Sequence, residues 1–174
     1  VANWCYRSEP EAGTNDRQIP IPRGKLLGGS SAINGLVYVR GQQLDYDTWA
    51  QLGNRGWSYA DVLPFFKKME SFERGESAYR GRSGPLRVTE VVDQNPIYEQ
   101  LFKAGSALGI VRNDDYNGAD QEGFARTQTT ISAGRRMSAD FAYLRPIRRR
   151  RNLTIKTRAL VTRLLFNQKV CVGV

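Results

Sequence analysis

The chain has 174 residues, 40% of them hydrophobic and 25% charged, enough for one domain of ordinary size with its own core. It contains no histidine, and its two cysteines, Cys5 and Cys171, lie at opposite ends of the sequence. This excludes a Ser-His-Asp or Cys-His catalytic site and the usual zinc constellations within these residues, while a net charge of +9 raises the question of an anionic partner.

Residues 7–22, with Pro10, Gly13, Asn15, Asp16, Pro20 and Pro22, read as an extended loop rich in turn formers. Next come Arg23, Gly24 and Lys25, then Leu27, Gly28, Gly29, Ser30 and Ser31, immediately before an apolar run. Two adjacent glycines permit positive φ and let a ligand come within hydrogen-bonding range of bare backbone. Either serine can cap a short helix expected from about Ser30 to Val37. A phosphate cradle and an ordinary serine-capped glycine turn both fit these residues alone.

Tyr46, Trp49, Ala50 and Leu52 recur at roughly helical spacing, which predicts a helix over 45–52 ended by Gly53. Ser58 with Asp61 three residues on predicts a capping box, and the helix it starts carries Val62, Leu63, Phe65, Phe66 and Met69 toward a core. Trp49 and Trp57 are expected to anchor the same core. Residues 84–89 read as a turn entering a strand, and Pro96 opens an amphipathic helix through Leu108 that Gly109 closes. Asp45 with Asp47, or Asp114 with Asp115, could be imagined as catalytic carboxylate pairs. Turn and helix-start preferences explain them better.

Alternation through Phe124, Arg126, Gln128 and Thr130 predicts a strand over 123–131. A helix over 138–144 should stop before Pro146, with Arg136 and Ser138 capping or bracing its start. The basic run Arg145, Arg148, Arg149, Arg150 and Arg151 could line a phosphate backbone. The aromatics are not interleaved with it, however, and a solvated helix end explains it equally well, so no nucleic-acid partner is expected. Residues 153–157, 160–166 and 170–174 read as three successive strands. Mixed helices and short strands predict an α/β or α+β region. The chain opens without an initiator Met or a leader and closes on an apolar alternation, which suggests an excerpt of something longer. No apolar run approaches the roughly 20 residues that span a bilayer, so no transmembrane segment is expected and the location is read as cytoplasmic or peripheral to a membrane.

One ordered set of motifs is far more specific than any of these. The stretch from Arg23 through Gly28-Gly29-Ser30-Ser31-Ala32-Ile33-Asn34-Gly35-Leu36-Val37 to Arg40-Gly41 is followed by Asp45-Tyr46-Asp47 and Trp49. Tyr6-Arg7-Ser8-Glu9-Pro10 precede it; Gly56-Trp57-Ser58-Tyr59, Leu63-Pro64-Phe65-Phe66 and Gly84-Pro85-Leu86 follow it. Asp115-Tyr116-Asn117-Gly118, Gln121-Glu122-Gly123-Phe124, Arg136-Met137-Ser138, Ala142-Tyr143-Leu144-Arg145-Pro146 and Asn152-Leu153-Thr154-Ile155 complete the order. The whole resembles the glucose-methanol-choline (GMC) oxidoreductase family, in its choline dehydrogenase-like branch.

The resemblance implies part of a GMC-type FAD-binding fold with part of a substrate-binding domain. Residues 1–42 would be the FAD-contacting loop and helix, 43–133 mostly substrate-domain and connecting segments, and 134–174 a helix and strands returning to the FAD domain. It implies a noncovalently bound FAD and the oxidation of a small primary or secondary alcohol, with oxygen or a quinone-type carrier as electron acceptor. Leu27, Gly28, Gly29, Ser30, Ser31, Asn34, Gly35, Leu36 and Val37 would run along the cofactor, and Val161 would meet its adenine, a role any apolar strand residue could fill. Ile33 stands where certain relatives carry a histidine joined to the flavin, and isoleucine has no nucleophile. The family's dinucleotide fingerprint and active-site histidine match nothing in these residues, so no catalytic residue is assigned and the chain alone is expected to be inactive.

Overall fold

The computed structural model describes residues 2–91, 93 and 95–174. The turn-rich N-terminal stretch folds as a hairpin rather than a free loop, with β1 (Tyr6–Arg7) antiparallel to β2 (Pro20–Ile21). Its tip is a 3-10 turn, Ala12–Thr14, ended by Asn15 and Asp16 in the left-handed region that short polar side chains tolerate.

Two helices follow, α1 (Gln43–Gln51) and α2 (Tyr59–Met69). The predicted box starts α2, with Ser58 N donating to Asp61 Oδ2 at 3.2 Å and Asp61 N donating to Ser58 Oγ at 3.3 Å. The same exchange of local charge starts α1, where Asp45 Oδ2 accepts from Gln42 N at 2.8 Å. Tyr46 packs edge-on against both Trp49 and Phe66, ring centres 5.6 Å apart in each case, and Asp47 Oδ1 accepts from Tyr59 N at 2.9 Å, which locks the helix pair. Trp49 and Trp57 are nonetheless half exposed and Phe65 is 67% exposed, so they do not anchor a core as the apolar pattern suggested. The apolar side chains of α2 are only partly covered: Phe66 meets Tyr46 and Met69 packs against the small core, while Phe65 stays exposed.

The last turn of α2 runs into β3 (Glu70–Phe72), which lies parallel to β4 (Leu86–Glu90), and β4 pairs antiparallel with β5 (Gln128–Thr129). Residues 36–38 add to the edge of this sheet, with Tyr38 N donating to Gln128 O at 2.8 Å and Thr130 N to Leu36 O at 3.0 Å. Period-two alternation then puts Tyr38 and Arg40 inside and leaves Val37 and Val39 outside. The apolar core is small: Tyr38, Phe72 and Val88, with Met69 and Leu86 packed against it.

Beside it lies a buried ionic cluster. Arg80 forks onto Glu70, Nε to Oε1 at 2.9 Å and Nη2 to Oε2 at 3.2 Å, and its Nη1 donates to Asp115 Oδ1 and to Gln128 Oε1. The guanidinium sits 3.7 Å from the centre of the Phe72 ring. Arg40 Nη2 lies 2.7 Å from Glu70 Oε1 but off the hydrogen-bonding direction, so its attraction there is coulombic, while its Nη1 donates to Tyr79 O at 2.8 Å. Two cations thus face two carboxylates, a balance that offsets the desolvation of burying them. Burial pushes the Tyr38 hydroxyl up to about 12, and Arg40 opposes that shift only in part.

The remaining chain is layered on this sheet. In α3 (Ile97–Ala107), Phe102 is buried and Gly105 bears the Phe124 ring, which a Cβ at that position would strike. Instead of one strand over 123–131 the chain makes β5 and then a tight hairpin, β6 (Ile131–Ser132) with β7 (Arg135–Arg136). Ala133 and Gly134, both at positive φ, make the turn that matches strand twist. The helix expected to stop before Pro146 is a π turn, Asp140–Leu144, that runs without a break into the short α4 (Arg145–Ile147), so the proline lies inside the helical run and the run ends one residue after it. Of the three expected C-terminal strands only the last two form, the earlier of them shortened, as β8 (Leu165–Asn167) paired with β9 (Val170–Gly173). Residues 153–164 are irregular, since their apolar side chains find no ladder partner among the described residues.

Candidate functional site

The glycine-rich loop is held from behind and open in front. Gly28 and Gly29 both take positive φ, 88° and 54°, which only glycine adopts freely, and Gly29 N closes the turn on Leu26 O at 2.9 Å. At Gly24 a Cβ would strike the carbonyl of Gly29, so these two backbones cross in contact. At Gly28 it would come within 3.1 Å of Asp140 N, so the loop rests on the segment that enters the π turn.

The expected helix from Ser30 to Val37 is only a 3-10 turn, Gly29–Ala32. The serines do not cap it, because their hydroxyls are used to bind the loop to the rest of the chain. Ser30 Oγ accepts from Gly24 N at 3.2 Å; Ser31 Oγ donates to Gly28 O and accepts from Ala139 N at 2.8 Å. Ile33 N and Asn34 N both reach Ser30 O, at 3.1 and 2.9 Å, which ends the turn. Leu36 then sits at φ 68°, a costly conformation for a leucine, held by its N–H donating to Asn34 Oδ1 at 3.2 Å and its carbonyl accepting from Thr130 N at 3.0 Å.

The front of the loop is bare. A Cβ added to Gly29 or Gly35 would meet nothing within 4 Å, whereas Gly28 and Gly24 are hemmed in. Val37 and Val39, 57% and 59% exposed, continue this surface as an apolar strip. Leu27 lines an open cleft of about 410 Å³ with Leu144, Arg145, Arg148 and Ile155. The structure thus brings together Leu27 through Val37. Val161 stands in the irregular segment, 57% exposed, and makes no backbone hydrogen bond to the loop among the described residues.

Two roles were not visible in the sequence. Asp115, read as a turn former, carries part of the buried ionic cluster by accepting from Arg80 Nη1 and from Gln128 Nε2 at 2.8 Å. Arg136, read as a brace for the helix after it, instead crosses to the loop: its Nη1 donates to Asn34 O and Asn34 Oδ1, each at 2.7 Å, and to Ser31 O at 3.3 Å. No local pattern announces a partner about a hundred residues away. Among the described residues no cluster of His, Cys, Asp and Glu is placed to hold a metal, both cysteines are free and exposed, and no helix is long and apolar enough to cross a membrane.

The surroundings of this loop are those of a known fold. The chain superimposes on the crystal structure of pyridoxine 4-oxidase from Mesorbium loti with a TM-score of 0.89 and 34% identity, covering 96% of this chain and 33% of that one. It superimposes on an FAD-dependent oxidoreductase from Chaetomium thermophilum with a TM-score of 0.88 and 30% identity, covering 98% and 32%. In sequence it is 51% identical over 153 residues to an oxygen-dependent choline dehydrogenase of Sinorhizobium fredii, covering 88% of this chain and 28% of that protein. Another from Brucella ovis is 46% identical over 172 residues, covering 99% and 31%. The chain therefore spans under a third of the length of the curated relatives it matches. The GMC oxidoreductase family model matches residues 6–174, nearly the entire chain, and it includes the glycine loop and every element packed behind it. With its mixed α/β arrangement and that continuous match, the chain belongs to the GMC oxidoreductase family.

Proposed function

We propose that this chain works within a longer polypeptide as the part that lays bare backbone along an FAD, and that the whole oxidises a small primary or secondary alcohol. The observation that carries the reading is the two-sidedness of the loop. Its hydroxyls and crossing glycines face the protein, while Gly29, Gly35, Val37 and Val39 face open space. A flat ring beside an anionic pyrophosphate fits such a surface, since backbone and small side chains permit close approach. On this reading Leu27 through Ser31 hold the phosphate side, Asn34 through Val37 border the ring, and Val161 would meet the adenine. Ile33, half-buried and without a nucleophile, leaves the cofactor noncovalent.

FAD, when bound, supplies the hydride acceptor. This chain's own residues bind and orient: the backs of Gly24 and Gly28 fix the loop, Asn34 offers a hydrogen-bonding amide, and Val37 and Val39 keep water from the surface they cover. With no histidine in the chain, the alcohol proton is handled by residues outside it. The same proposal places residues 1–42 and 134–174 with the cofactor and 43–133 mostly with the substrate domain. The names of the relatives, oxygen-dependent choline dehydrogenase and pyridoxine 4-oxidase, support a small alcohol substrate and oxygen as acceptor.

The test is FAD uptake and alcohol-dependent oxygen consumption by the full-length polypeptide carrying this chain, set beside the 174-residue chain alone. The full-length polypeptide is expected to hold FAD and turn over, and the chain alone to be inactive. A full-length polypeptide that binds no flavin, or an isolated chain that oxidises alcohols, would overturn the reading.

A further inference from the structure

We infer that Arg136 is a positioning residue that fixes which way the Asn34 amide faces the cofactor; the inference rests on the FAD reading of the loop. Asn34 Oδ1 accepts two hydrogen bonds from behind, one from Arg136 Nη1 at 2.7 Å and one from Leu36 N at 3.2 Å. An amide whose oxygen is held this way must turn its NH₂ outward. Among the described residues Nδ2 has no hydrogen-bond partner, Asn34 is exposed, and Gly35 beside it leaves open space. The loop therefore presents a donor, not an acceptor, to whatever lies in front of it, and the acceptor atoms of a flavin ring's polar edge match a donor.

The same guanidinium nitrogen also binds Asn34 O and Ser31 O, so it ties both ends of the turn that follows the glycines. Arg136 is half-buried at the end of the tight β6–β7 hairpin, and among the described residues no carboxylate lies within 4.0 Å of its cationic nitrogens. Its positive charge is thus spent on carbonyl oxygens of the loop rather than on an ion pair. A hydrogen bond from a charged donor is stronger than a neutral one, and this one decides between two amide orientations of nearly equal shape.

The experiment is a double-mutant cycle in the full-length polypeptide with Arg136→Met, Asn34→Ala and the pair, reading FAD affinity and the flavin's visible absorption spectrum. Each single change should weaken FAD binding roughly tenfold, the value of one charge-assisted hydrogen bond, and the pair should lose little more than either alone. Arg136→Lys, which keeps the charge and one donor, should recover part of the loss, and Arg135→Met on the neighbouring exposed arginine should bind as wild type does. Amide exchange of residues 31–37 reads the clamp without ligand and should speed up about tenfold in Arg136→Met. Additive losses, or an Arg136→Met protein with wild-type exchange, affinity and spectrum, would overturn the inference. A wild-type polypeptide that takes up no FAD would overturn the cofactor reading instead, with the exchange result still deciding whether Arg136 holds Asn34.

Discussion

The Arg80–Glu70 cluster and the glycine loop use the same means, hydrogen bonds from arginine, to opposite ends. In the cluster every charge is answered inside the protein: Glu70 receives both arms of Arg80 and the Gly81 amide, and Gln128 and Asp115 take what remains. In the loop only the back is answered, by Arg136, Ala139 and Gly24, and the front is left to solvent. The first arrangement holds the sheet against which the second is pinned: the chain leaves the loop through Tyr38, whose N–H donates to Gln128 O, and the Gln128 side chain accepts from Arg80 in the cluster. Completing the hydrogen bonding of a loop from one side gives a rigid surface whose other side is free for a ligand.

Substitutions can break this contrast at either end. The largest effect is expected at Glu70→Gln, which leaves two buried guanidinium groups facing only Asp115. Breaking a buried ion pair costs about 3–5 kcal/mol, which chemical denaturation would read as a shift in midpoint. Gly28→Ala attacks the back of the loop, since φ is +88° and the new Cβ meets Asp140 N at 3.1 Å. It should cost about 1–3 kcal/mol of stability and weaken flavin binding with it. Tyr38 sharpens the picture of the interior by pH. Its hydroxyl is raised from 10.0 to about 12 by burial, so the unfolded chain ionises first. The stability it carries is fully present below pH 10 and is lost as pH rises through 12, about 3 kcal/mol in all. Tyr38→Phe should remove that part of the alkaline slope in denaturation curves measured across this range.

What the sequence made legible was local. The capping box at Ser58 and Asp61, the start of α3 at Pro96 and its end at Gly109, and the strand after Gly84 are each set by neighbours within a few residues, and each is found as expected. The glycine loop was legible as a family motif, though not as a 3-10 turn whose serines bind backward. Pairings across long separations were not legible. Arg80 meets Gln128 from 48 positions away and Arg136 meets Asn34 from 102, and neither residue differs in type from the exposed arginines around it. The aromatic residues Trp49, Trp57 and Phe65 misled for a related reason: periodicity reports a face, but only the fold decides whether anything covers it.

The most direct test of a loop closed behind and open in front is Gly35→Leu in the full-length polypeptide. No Cβ contact lies within 4 Å there and the backbone is not in the left-handed region, so stability should stay within about 0.5 kcal/mol of wild type. FAD affinity should fall at least roughly tenfold, because the new side chain fills the space in front of the loop. A variant as stable as wild type that binds FAD equally well would show that the open face of this loop is not where the cofactor lies.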